Sequence, residues 1–168
     1  MSRQITPQID AADISERLVG ITPVYLQNFL QRGTYGLRSS VSPGKVRSLR
    51  RFFSIEDVYG IALVWLLFES GLRTDPILRV LKDLCGGKKA DANVAGKKLL
   101  DQKVEWIEID RQPRGPTKNP AEMPEQVTRI LTKHDSSVGS ANRSTCKLLI
   151  PVGEKFRDIQ HRIELLFS

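Results

Sequence analysis

The chain has 168 residues, 40% of them hydrophobic and 7% aromatic, which supplies a folded core and excludes a disordered chain. Its 26 lysines and arginines against 19 acids leave a formal net charge of +7, a balance that suits a polyanionic partner. Two cysteines, Cys85 and Cys146, form neither a disulfide framework nor a CxxC metal spacing, so a reduced, cytoplasmic setting is expected.

The opening stretch MSRQITPQIDAAD has no apolar core of the kind a signal peptide carries. From Ile9 to Val19, the residues Ile9, Ala12, Ile14, Leu18 and Val19 recur at loose helical spacing, ended by Gly20. Thr22 then stands as an N-cap with Pro23 at the first helical position. Val24, Tyr25, Leu26, Phe29 and Leu30 are the apolar residues of this second helix, and Gly33 ends it. Two helices joined by a short glycine turn make a helix-turn-helix pattern, although any small bundle offers the same one.

The following stretch, GTYGLRSSVSPGKVRSLRRFF, is punctuated by Gly33, Gly36, Pro43 and Gly44, with SPGK as a turn between two extended arms. Between Glu16 and Glu56 there is no acid, while Arg17, Arg32, Arg38, Lys45, Arg47, Arg50 and Arg51 all fall there. The remaining basic residues are balanced by the acids, so this stretch carries the whole excess charge. That is the footprint of a surface that meets phosphates; the bland alternative is a solvated loop with countercharges elsewhere in the fold. A basic hairpin after a helix-turn-helix is a wing, whose arginines can lie along a sugar-phosphate backbone while the second helix enters the major groove.

Ser54 followed by Asp57 predicts an N-cap, and the apolar run that follows predicts a central core helix ended by Gly71. Its IALVWLLF segment is far shorter than the roughly 18 to 20 residues a membrane span needs. Asp75 and Pro76 start a further helix, PILRVLKDL, with Ile77, Leu78, Val80, Leu81 and Leu84 available for packing.

In order and spacing these parts resemble the MerR-type winged-helix domain of bacterial transcription regulators, over about residues 9–84. VGITPVYLQNFLQRG is similar to the family's segment from the turn through the second helix, and RRFFSIEDV to its wing exit. LFESGL and the short closing helix complete the match. The resemblance implies that the second helix reads the major groove and that wing arginines hold phosphates. Carried over, Arg51 is the wing arginine, Phe53 the aromatic after it, and Thr22 the helix cap. Gln27 stands where the family usually has arginine and Asn28 where it has tyrosine; both side chains can still bond adenine edges or phosphates. The expected DNA-binding residues are thus Thr22, Tyr25, Gln27, Asn28, Arg38, Lys45, Arg47, Arg50 and Arg51.

The family's long dimerising helix is missing, so a homodimer would use another surface. After Leu84 comes CGGKKADANVAGKK, with a repeated GKK and few apolar residues, which predicts a linker over 86–102 in which ADANVAGKKLL could form a short helix. Residues 103–168 form a separate small module: a strand at VEWIEI with Val104 and Trp106 on one face, a proline-rich loop, and QVTRILTK as strand or short helix. A strand at CKLLIPV and a terminal helix follow, with Phe156, Ile159, Ile163, Leu166 and Phe167 on one side. His134 and His161 stand alone, and no phosphate loop, zinc constellation or nucleophile elbow is present. No enzyme activity, cofactor or metal is expected.

The fold expected is therefore α+β, with a winged helix-turn-helix domain over 1–85 and a small α+β module at the C-terminus. The expected function is a bacterial or phage transcription regulator that binds double-stranded DNA. The alternatives are a protein-docking scaffold on the same fold and a phage-type excisionase that bends a recombination site.

Overall fold

The computed structural model describes residues 9–38, 52–112, 125–131 and 146–168. Its helices and small antiparallel sheets make an α+β arrangement. Strand β1 (Ile9–Asp10) leads into α1 (Ala11–Asp13), which continues as a π-helical turn over Ile14–Leu18. The single helical stripe predicted from Ile9 is therefore split. Ile9 is buried in a strand and Ala12 is exposed, leaving Ile14, Leu18 and Val19 as the buried face. Asp10 is the cause: its carboxylate accepts the Asp13 N–H at 2.8 Å, and an N-cap needs extended backbone just where the stripe would have been helical.

Helix α2 (Pro23–Arg32) follows after four residues, with Gly20 at φ 76 in the turn and Gly33 at φ 56 as its left-handed C-cap. Strand β2 (Phe52–Phe53) pairs antiparallel with β1, placing Phe53 opposite Ile9, both fully buried. Helix α3 (Ile55–Glu69) starts at the predicted Ser54 with a complete capping box to Asp57. It is apolar all round and forms the centre of the core, with Val58, Tyr59, Ile61, Leu63 and Val64 among its buried residues. Helix α4 (Thr74–Leu84) begins one residue before the predicted Asp75 and buries Ile77, Val80, Leu81 and Leu84.

Within the stretch expected as a linker, Ala92–Asp101 form helix α5, capped by Asp91 and packed along α3. The few large apolar residues there disguise a contact made by small ones. Ala92, Ala95 and Gly96 are buried, and a Cβ on Gly96 would stand 2.8 Å from the Gly60 amide nitrogen. Two helix backbones approach closely only where side chains are this small.

The C-terminal sheet has the order β4-β3-β5, all antiparallel, from β3 (Trp106–Gln112), β4 (Glu125–Leu131) and β5 (Cys146–Ile150). QVTRIL is thus a strand. Ile107 and Ile109 face the core while Trp106 is 43% exposed, the opposite phase from the one predicted. Val104 is buried but belongs to the turn after α5, where its N–H bonds to the Leu99 carbonyl at 3.1 Å, so strand alternation does not reach it. Helix α6 (Val152–Phe167) buries Phe156, Ile159 and Ile163, leaves Leu166 half-buried and exposes Phe167. It crosses α3 with the Tyr59 and Phe156 rings 4.8 Å apart. One hydrophobic cluster runs from Ile9 through α3 and α5 to Ile163.

Candidate nucleic-acid interface

Helix α2 is anchored by one face and open on the other. Leu26 and Phe29 are buried, three positions apart, while Thr22, Val24, Tyr25, Gln27, Asn28, Gln31 and Arg32 are exposed. Thr22 occupies the N-cap position with extended backbone, yet its side chain makes no capping bond. Tyr25 is 41% exposed, and its ring lies 5.5 Å from Trp65 and 5.3 Å from Phe68. It is an aromatic side chain held by its base with an edge left in water, so little conformational entropy remains to be lost on binding. Gln27 and Asn28 stand beside it as neutral groups that donate and accept hydrogen bonds.

The turn before α2 is held from the far end of the chain. Lys155 on α6 donates to the Val19 carbonyl at 3.0 Å, and Arg162 donates to the Arg17 carbonyl at 3.1 Å. Cations thus meet carbonyls that the end of a helix leaves unpaired.

The chain leaving α2 is sewn to the start of α5. Ala92 N–H bonds to the Tyr35 carbonyl at 2.9 Å, and Gly36, at φ 70, lets the Asp91 backbone come within a Cβ radius. Asn93 then ties both ends of the acid-free basic segment to one point. Its amide donates to the Arg38 carbonyl at 3.3 Å and to the buried Asp57 carboxylate at 2.6 Å, and the same carboxylate accepts the Ser54 N–H at 2.8 Å. Arg38, on one side of residues 39–51, and Ser54, just past them, are therefore bridged through two side chains.

Lys45, Arg47, Arg50 and Arg51 lie outside the described residues. Of the other cations in the acid-free stretch, Arg17 pairs with Asp13 at 3.3 Å and Arg38 with Asp91 at 3.4 Å, whereas Arg32 has no ion-pair partner among the described residues. The guanidinium side chains of Arg17 and Arg38 are 67% and 69% exposed, so these pairs are weak and screened, and both cations stay accessible to a stronger anion.

The short helix allowed over ADANVAGKKLL is present as α5, but nothing in the sequence marks Asn93 as part of the site. No local pattern marks an asparagine whose partners lie 36 and 55 residues away. Neither the protein-family models nor the curated proteins compared with the chain match it.

Proposed function

We propose that the protein is a sequence-specific DNA-binding regulator of transcription, in which α1, α2 and the basic segment after them act as a winged helix-turn-helix. The observation that carries this reading is the pairing of an exposed polar face on a rigidly seated α2 with a segment that holds Lys45, Arg47, Arg50, Arg51 and no acid. Gln27 and Asn28 contact base edges, Tyr25 packs against a sugar or a thymine methyl, and Arg38 with the four cations beyond it neutralises phosphates. Thr22 lies at the mouth of the groove, where its hydroxyl reaches a phosphate instead of capping its own helix.

Fluorescence anisotropy with labelled duplexes at several salt concentrations tests the reading. Affinity should fall with a log-log slope of about −0.9 per phosphate neutralised. Gln27→Ala or Asn28→Ala should reduce discrimination between a selected site and random duplex by roughly 1–3 kcal/mol per lost base contact. An absence of binding at low salt would favour the docking scaffold instead, a reading supported by Val24, 67% exposed on the same helix face. Footprints over attachment sites instead of promoters would mark an excisionase.

A further inference from the structure

One basic motif is not accounted for by this reading. The turn after α4 carries Gly87-Lys88-Lys89, and it borders an open groove of about 560 Å³ lined by Thr34, Arg79, Lys82, Lys88 and Lys89, among others. Among the described residues of the lining there is no acid. Lysines at the end of a helix are usually explained by its unpaired carbonyls. Here those carbonyls are already taken. Leu81, Asp83 and Lys82 accept the amides of Cys85, Gly86 and Gly87 at 2.9 Å each, and Leu84 accepts the Lys98 ammonium at 2.8 Å. The nearest capping acid, Asp91, is engaged by Arg38 and by the Val94 N–H. Lys82, Lys88 and Lys89 have no ion pair among the described residues, so three ammonium groups line the groove without a paired carboxylate among those residues. Thr34 at its rim lies two residues beyond Arg32, so the groove opens where α2 ends.

We propose that this groove holds sugar-phosphate backbone of the bound duplex, extending the phosphate contacts from the end of α2 across the turn between α4 and α5. The proposal rests on the DNA-binding reading. The groove is too large and too open for a single free anion and suits a run of chain. Lysines act there as point charges that tolerate any sequence, so the contact contributes affinity and orientation without reading bases.

The test uses the full chain and duplex anisotropy across a salt series. Lys88→Gln combined with Lys89→Gln should flatten the log-log slope by close to two units, at about 0.9 per phosphate lost, equally on selected and random duplexes. Lys103→Gln, beyond the far end of α5, should leave the slope unchanged, and the melting temperature of every variant should match the wild type. If the wild type binds and the double variant keeps its slope, the groove is not a phosphate site while the DNA reading stands. The groove proposal also fails if Lys103→Gln flattens the slope by half as much as the double variant does, because the effect is then diffuse charge. If the wild type binds no duplex at low salt, both readings fall together.

Discussion

The tripeptide Gly-Lys-Lys occurs twice, as residues 87–89 in the turn after α4 and as residues 96–98 inside α5, and the surroundings of the copies are opposite. In the first, Gly87 takes φ 80 with nothing among the described residues within 4 Å of a Cβ, and both lysines are exposed. In the second, Gly96 is buried against the backbone of Tyr59 and Gly60, Lys97 pairs with Glu56, and Lys98 closes the end of α4. One glycine is there for its dihedral freedom and the other for its missing volume. One pair of lysines makes contacts within the fold, and the other has no ion pair among the described residues. The residue types are identical; the tertiary neighbours assign the roles.

Adding one methyl group to each glycine separates those two causes most strongly. Gly96→Ala places a Cβ 2.8 Å from a backbone nitrogen and 2.9 Å from a backbone carbon, which cannot rotate away. The helices must part, and the net loss should be about 1–3 kcal/mol even though alanine favours a helix. Gly87→Ala meets no neighbour, so its cost is only the left-handed backbone, roughly 1–2 kcal/mol. Urea unfolding of both variants checks the order. Gly96→Ala as stable as wild type would mean that α5 does not pack on α3 at this distance.

What could be read from the sequence follows the same division between local and distant causes. Ser54 with Asp57, Pro23 at the start of α2 and Gly33 at its end are cues within one helical turn, and each stands where expected. The strand at Cys146–Ile150 and the terminal helix were also legible, because period-two and helical patterns are local. Helix α5 was barely legible, since its buried face is made of alanine and glycine, which carry no hydrophobic stripe. The phase of β3 failed because Val104 belongs to a turn, which alternation cannot show. At the candidate interface, the exposure of Gln27 and Asn28 followed from helical spacing, whereas the Arg38–Asp91 pair and the Asn93 bridge depend on contacts 53 and 55 positions apart or on a shared carboxylate. No window of sequence contains both members.

A smaller effect distinguishes the second lysine of each copy. Lys98→Met keeps the aliphatic stem but removes the ammonium from the Leu84 carbonyl, so the stability loss should be about 0.5–1.5 kcal/mol, one hydrogen bond. Lys89→Met should leave unfolding unchanged, since no partner among the described residues is lost. Paired thermal melts are sufficient, and equal losses in the two variants would remove the contrast between a committed and an uncommitted lysine.

Lys97 gives the smallest expected effect and needs pH to reveal it. Its hydrogen bond to the Glu56 carboxylate, reinforced by the charge itself, raises the ammonium above the ordinary lysine value, and the pair is exposed on both sides. A pKa raised by folding means that the folded state holds its proton more tightly than the unfolded chain. The stabilisation is therefore complete below the unfolded lysine value, about 10.4, and is lost as pH rises through the higher folded value. Tyr59 acts in the same direction over nearby pH: burial, with the Glu164 charge adding to it, raises the phenol, so stability drops once unfolded tyrosine begins to ionise near pH 10. The two are separable by working in a Tyr59→Phe background. There, Lys97→Met should melt slightly below its parent at pH 8 and coincide with it once the pH exceeds the folded lysine value, whereas Lys88→Met should coincide with the parent throughout. Should the Lys97→Met difference persist undiminished at the alkaline end, the ammonium contributes nothing through Glu56. In that case only the aliphatic stem of Lys97 would distinguish it from the lysines of the first copy.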